Sequence, residues 1–335
     1  MGFLKLACAG DSGYLIGTYY FPGWRGGEFG ASSSKPWERI WDFKERKPLL
    51  GWYDDGDVAT VNTQLGWMRS YGLSYVVFDW YWGGRGVFLD QSLRAYLQAK
   101  NRVGMPFAIM WANHDQAPTS RQQFQIIIDY WIDNYLKKPE YFRVDGRPVV
   151  FIFDSPALEA KLQAFGSSSL DMLSYAQGKA KDAGMPGIYF VSSTFNEVSP
   201  SKMGYSAMST YNYHGIERPS ESYGELIRDY RRAWAFHAGR AGVRYIVPMT
   251  QGWDRRPWGG SKNPKHDLSG GSVGEFRDHL ESAKAFIDAH REETGSMGII
   301  CCWNEFGEGS YIEPTEKFGF SYLEQVRAVF GSAKR

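Results

Sequence analysis

Eight short apolar or aromatic runs recur along the chain, at 14–21, 74–81, 106–112, 148–154, 187–193, 206–213, 244–250 and 297–304. Runs of that length, rich in β-branched and aromatic residues, read as strands buried on both faces. Most are separated by amphipathic stretches of helical period. The stretch 57–71 puts Val58, Val61, Leu65 and Met68 on one face, and 119–137 does the same with Phe124, Ile127, Ile128 and Trp131. The stretches 222–238 and 273–290 repeat the pattern with charged residues opposite. Val103-Gly104-Met105-Pro106 and Ala183-Gly184-Met185-Pro186 read as helix ends feeding strands. No repeat, low-complexity tract or charged linker interrupts this order. The pattern predicts an α/β fold, a single (β/α)8 TIM barrel with long βα loops, occupying 1–335 as one catalytic domain. It is thinnest at 155–187 and 193–207, where the fourth helical region is long and the fifth nearly missing.

A barrel of this kind carries its site at the C-terminal ends of the strands and on the loops that follow. Those positions are polar and aromatic at once here. They include Phe21-Pro22-Gly23-Trp24, Asp79-Trp80-Tyr81-Trp82, Trp111-Ala112-Asn113-His114-Asp115, Tyr211-Asn212-Tyr213-His214 and Gln251-Gly252-Trp253-Asp254. The opposite strand ends carry ordinary turn residues. With 13 Trp, 21 Tyr and 21 Phe the chain has more rings than one core needs. Rings beside hydrogen-bonding groups suit a ligand that is C–H-rich on its face and hydroxylated at its rim, a sugar. Tyr20, Asp79, Trp80, Trp111, Asn113, His114, Tyr211, Tyr213, Trp253, Asp254 and Asn304 are the expected lining residues. The loops 23–57 and 252–272 are expected to wall the cleft.

Other classes are excluded by composition. Lys and Arg number 38 against 37 Asp and Glu, a formal charge of +1, which lacks the basic footprint of a nucleic-acid binder. No apolar run is long enough to span a membrane. The N-terminal apolar stretch is short and broken by Lys5, so it does not read as a secretion signal. Three cysteines make neither a disulfide framework nor a four-cysteine metal site. If Cys301 and Cys302 lie in a strand, their thiols point to opposite faces and serve packing. His114 and His214 lack metal-ligand spacing, so no metal and no cofactor is expected.

The strongest local signal follows the last strand: Trp303-Asn304-Glu305-Phe306-Gly307-Glu308-Gly309-Ser310-Tyr311-Ile312-Glu313-Pro314. Gly307 and Gly309 argue for an irregular loop. Two carboxyls facing one pocket are pushed to different pKa values, one kept as acid and one ionised, which is what glycoside cleavage requires.

This motif resembles the signature of glycoside hydrolase family 99, which contains the endo-α-mannosidases, and of its WbsX-type relatives from bacterial polysaccharide gene clusters. Gly17-Thr18-Tyr19-Tyr20-Phe21-Pro22-Gly23-Trp24 resembles the family's opening strand, and Trp80-Tyr81-Trp82, Trp111-Ala112-Asn113 and Gly252-Trp253-Asp254 resemble WbsX-type blocks in the same order. The resemblance implies a (β/α)8 barrel with Glu305 and Glu308 as catalytic pair: Glu305 as base on the substrate's 2-hydroxyl, Glu308 as acid on the leaving oxygen. In an α-mannoside the deprotonated 2-oxygen lies trans to the leaving group, closes a 1,2-anhydro sugar, and water opens it with net retention. The chain departs from the mannosidases at Phe306-Gly307, where they carry Trp-His, at His114-Asp115, and at Asp79. The resemblance places these positions where sugar hydroxyls would be contacted, so the acid/base pair carries over and the sugar stays open.

Three other readings stand beside this one. Asn196-Glu197 follows the predicted fifth strand, and a strand count off by one would make Glu197 the acid/base and Glu305 a nucleophile. A transferase would need a phosphate site, for which the basic Gly259-Gly260-Ser261-Lys262 loop is the available candidate, since Asp54-Asp55-Gly56-Asp57 reads as a helix cap. A lectin-like barrel would bind a glycan without cleaving it.

Overall fold

The computed structural model describes residues 13–27, 35–114, 117–194, 199–212, 220–240 and 242–331. Its strands are β1 (Leu15–Tyr20), β2 (Tyr75–Gly83), β3 (Phe107–Trp111), β4 (Arg147–Ile152), β5 (Tyr189–Ser193), β6 (Ala207–Ser209), β7 in two pieces (Arg244–Tyr245 and Val247–Thr250) and β8 (Met297–Cys301). Each pairs in parallel with its sequence neighbour, and β1 pairs with β8. The two pieces of β7 divide its two edges: the first pairs with β6 and the second with β8. Ile246, between them, donates its N–H to the Met208 carbonyl at 2.9 Å, so the ring closes through the break. The nine parallel segments thus occupy the eight positions of the expected barrel.

Around it lie α1 (Val58–Ser70), α2 (Gln91–Gln98), α3 (Arg121–Trp131), α4 (Ser155–Ala164), α5 (Ser169–Asp182), α6 (Tyr223–His237), α7 (Val273–Ala289), α8 (Arg291–Thr294) and α9 (Ser321–Phe330). Most of the long helices start on a side-chain cap. Asp57 accepts from Ala59 and Thr60, as its place in the acidic run predicts. Ser120, Ser168 and Ser222 each accept an N–H three residues on, and Ser272 with Glu275 forms a reciprocal capping box. These bonds satisfy first-turn amides that a helix leaves without partners. α5 ends at Gly184, whose φ of +81° lets Met185 N–H return to the Ala180 carbonyl at 2.9 Å. In the thin region, α4 and α5 both lie between β4 and β5, and the described residues between β5 and β6 hold one 3-10 turn, Pro200–Met203.

Strand alternation decides what each ring meets. Tyr19 faces the barrel interior, 4.8 Å from the Tyr211 ring, whereas Tyr20 faces the helix layer and donates its hydroxyl to Gln64 of α1 at 2.9 Å. Trp80 and Trp111 likewise face outward, their rings 5.4 and 5.6 Å from that of Trp131 on α3. The cysteine expectation is corrected: β8 ends at Cys301, and Cys301 and Cys302 are joined to each other in a disulfide across a cis peptide bond, both buried. Alternation would have separated them only if both belonged to the strand. Among the described residues no helix is long and apolar enough to cross a membrane. The N-terminal stretch around Lys5 lies outside the described residues.

Candidate active site

Residues from Asn304 to Tyr311 form a tight hairpin, with Asn304–Glu305 antiparallel to Ser310–Tyr311. It stands over the C-terminal mouth of the barrel because both its ends are tied down. Trp303 donates its backbone N–H to the Tyr19 carbonyl at 2.7 Å. The Asn304 amide accepts from Phe21 N–H at 2.8 Å and donates to the Phe21 carbonyl at 3.0 Å, so one side chain imitates a strand edge for the end of β1. On the far side Glu313 accepts from the Tyr53 hydroxyl at 2.7 Å and from Gln64 at 2.9 Å, and burial pushes its carboxyl up to about 8. From the 23–57 loop, Arg46 reaches under the hairpin tip. It is buried, donates to the carbonyls of Phe306 at 2.7 Å and Asp254 at 3.0 Å, and pairs with the Asp254 carboxylate.

The glycines of the tip serve two purposes. Gly309 has φ +68°, a left-handed turn that a side chain resists. Gly307 gives room: a Cβ there would overlap the indole nitrogen of Trp258. Gly307→Ala is therefore expected to displace Trp258 and destabilise the protein by about 1–3 kcal/mol. Thermal unfolding checks this, and adding Trp258→Ala should recover part of the loss, a coupling that independent sites would lack.

Glu305 and Glu308 line one cavity of about 380 Å³ at the barrel mouth. The strand ends around the barrel supply the rest of it: Asp79 and Tyr81 from β2, Met110 of β3 with Ala112 and His114 after it, Phe153 after β4, and Tyr211 and Asn212 after β6. Phe21, Arg255 and Trp258 close the side toward the two long loops. This is the size of a small-ligand site, apolar in wall and acidic in centre.

Electrostatics follow from that burial. Glu305 is 6% exposed, and its carboxyl is raised well above the ordinary range, first by burial and then by the charges of Glu308 and Asp79. Glu308, half-buried at the tip, is raised by burial to about 7, with Arg255 pulling it down. Asp79 is also raised, by burial and by Glu308, against the hydrogen bond from Tyr211. Three acids in one low-dielectric space cannot all ionise near neutral pH, so at least one of them keeps its proton.

Of the residues expected to line the site, Asp79, His114, Tyr211, Glu305 and Glu308 do so. Tyr20, Trp80 and Trp111 do not, because they point to the helix layer; the inward positions one residue away, Tyr81, Met110 and Ala112, take their place. Asn113 is spent on a brace, exchanging bonds of 2.8 Å with the Asp154 backbone. Trp253 stacks on His266, and Asp254 holds Arg46 and Arg256. Asn304 positions the hairpin without facing the cavity. Tyr213, Asp115, His214 and Glu197 lie outside the described residues. Tyr81 was legible: Asp79, a polar residue after an apolar run, marks the inward parity that residue 81 shares.

Among the described residues no group of three or more His, Cys, Asp or Glu is placed to hold a metal ion. The Gly259–Lys262 loop does not offer a phosphate cradle either. Gly260 N–H is bonded to the Arg255 carbonyl at 2.9 Å, and Ser261 N–H to the Asp267 carboxylate at 2.8 Å, so an acid already occupies the anion's position.

A family model described as "Glycosyltransferase WbsX" matches residues 43–326. Two curated relatives from Xanthomonas campestris pv. campestris, each described as "Uncharacterized protein WxcX", are 22% identical over 314 residues. The match covers 83% of this chain and 42% of theirs, so the chain spans less than half the length of these relatives. The solved GH99 endo-α-mannosidase of Bacteroides thetaiotaomicron, in complex with bis-tris propane, superposes with a TM-score of 0.66 at 18% identity, covering 93% of this chain and 95% of that one. A protein described as "Glycoside hydrolase-like protein" gives 0.60 at 16% identity over 96% and 94%. At such identities the likeness is one of fold.

Proposed function

This chain belongs to the WbsX family and is built on a glycoside hydrolase-like barrel, and we propose that it is a retaining glycoside hydrolase acting on a polysaccharide or oligosaccharide. Glu305 is the base that takes the proton of a neighbouring 2-hydroxyl, and Glu308 is the acid that gives a proton to the departing oxygen. The freed 2-oxygen attacks C1 from the face opposite the leaving group, closing a 1,2-anhydro sugar. Water then opens the three-membered ring, returning a proton to Glu308 as the 2-hydroxyl recovers its own from Glu305. An α-mannoside-like unit has the required trans arrangement, in keeping with the endo-α-mannosidase whose fold the chain shares.

One observation carries this reading: both glutamates of the hairpin border the same sugar-sized cavity, and burial holds both carboxyls above their ordinary range. A general acid for use near neutral pH needs a raised pKa, as Glu308 has. The family's glycosyltransferase description favours transfer instead; against it, Ser261 N–H of the candidate phosphate loop is bonded to the Asp267 carboxylate.

Incubation with a panel of polysaccharides, with and without sugar nucleotides, tests the proposal. New reducing ends that need no sugar nucleotide are expected. Products that appear only with the nucleotide would make it a transferase, and binding without products a lectin.

The pH profile should respond to Arg255. Its cation favours the ionised form of Glu308, so Arg255→Met raises the Glu308 pKa from about 7. An acid must be protonated to act, so the alkaline limb of kcat should move to higher pH. A limb that stays in place, or moves down, removes Glu308 from the acid role.

A further inference from the structure

The hydroxyl of Tyr211 stands 3.0 Å from Oδ2 of Asp79 and 3.0 Å from Oε1 of Glu305. Both are hydrogen-bond distances, yet a phenol has one proton and can donate to one carboxylate at a time. For both contacts to be bonds, one of the two carboxyls must carry a proton and donate it to the phenol oxygen. Were both ionised, one of them would face oxygen lone pairs across 3.0 Å in a buried site.

The surroundings say which carboxyl is the better holder. Among the described residues the buried Oδ1 of Asp79 has no hydrogen-bond partner, a costly place for ionised oxygen and a cheap one for a neutral carboxyl. Among the described residues the influences on Asp79 are burial, the Tyr211 hydroxyl and Glu308, with no positive charge among them. The ring packed on Tyr211 from β1 is Tyr19, itself kept neutral by burial. Arg255, on the β7 side, acts on Glu308, and His114 borders the cavity after β3.

We infer that Asp79 is a positioning residue for the acid–base pair: it holds a proton, donates it to the Tyr211 oxygen, and so turns the phenol hydrogen onto Glu305, which is left ionised as the base. Resting on the hydrolase reading, this resolves its main difficulty, that the intended base sits deeper among acids than the intended acid. With Asp79 neutral, Glu305 feels one fewer negative neighbour and keeps a donor. The proton it later takes from the sugar goes to Oε2, so the Asp79–Tyr211–Glu305 chain does not rearrange.

Infrared spectra of protein labelled with 13C at the aspartate carboxyl test the assignment without any substrate. At neutral pH, the wild-type minus Asp79→Asn difference should contain the carbonyl stretch of a protonated aspartate. An ionised-carboxylate band in its place overturns the assignment and puts the proton on Glu305. With glutamate labelled instead, Tyr211→Phe should raise the pH at which one buried glutamate ionises; no change overturns the link through the phenol. Thermal unfolding of each variant verifies that it is folded. On a glycan that the wild type cleaves, Asp79→Leu should lower kcat about tenfold or more below Asp79→Asn, because only the amide keeps a donor to Tyr211. Equal losses would leave Asp79 a merely structural residue and overturn its positioning role. Failure to cleave any glycan would count against the hydrolase, whereas the spectra judge Asp79 alone.

Discussion

Glu308→Gln should lower cleavage of a glycan with a poor leaving group by about 10²–10⁴-fold and largely spare an activated aryl glycoside. Glutamine keeps the length and volume of the side chain at the hairpin tip but has no proton to give. A sugar alcohol cannot depart without that proton, while an activated phenolate can. Glu305→Gln should lower both rates by a comparable factor, because removal of the 2-hydroxyl proton is needed whichever group departs. The contrast between the two variants is the informative quantity, since a distorted cavity would slow both substrates alike. Single-turnover rates on the two classes of substrate check this. If Glu305→Gln is the variant that spares the aryl glycoside, the roles are exchanged; if neither affects cleavage, the catalytic pair lies elsewhere.

Arg46→Met should destabilise the protein by about 3 kcal/mol or more, the range for breaking a buried ion pair by removing one partner. Methionine fills much of the volume but abandons three acceptors at once: the carbonyls of Phe306 and Asp254 and the Asp254 carboxylate. Arg256 still reaches Asp254, with its Nε 2.8 Å from Oδ1, so the loss falls mainly on the two carbonyls beneath the hairpin. Phe306 lies between the two glutamates, so activity should fall further than the unfolded fraction explains. Denaturant unfolding gives the first quantity and kcat at a temperature where the variant is folded gives the second. A stability change under about 1 kcal/mol would mean that water replaces the guanidinium at little cost, as it does at exposed pairs.

Local physics accounts for what was readable in advance. Two-residue and 3.6-residue periods are written into any short window, so the order of strands and helices, and with it the barrel, was legible. The cap at Asp57 and the turn at Gly184 depend on residues close to each other in the chain. The pairing of Glu305 with Glu308 was legible for the same reason, because the glycines and the two acids fall within five residues, although the expected irregular loop is a hairpin.

The aromatic residues depart from the expected lining where a one-residue parity matters. A run such as Asp79-Trp80-Tyr81-Trp82 offers two faces, and polarity beside a ring does not tell them apart. In the barrel the tryptophans of that run fill the seam against α3, while Asp79 and Tyr81 turn inward. The cysteine pair failed similarly, since β8 stops one residue short of Cys302.

The amino-acid sequence alone therefore determined the alternating architecture, the end of the barrel at which the cavity opens, and the two acids after its last strand that border it. Which rings face the cavity, and which charges the acids hold, were decided only by tertiary structure. Those properties depend on groups far apart in the chain: Arg46 lies 208 residues from Asp254, and Tyr211 lies 132 from Asp79 and 94 from Glu305. Closing the barrel brings them within 3 Å or so and removes the water between them, and a carboxyl's proton affinity is set by that exclusion and by those neighbours.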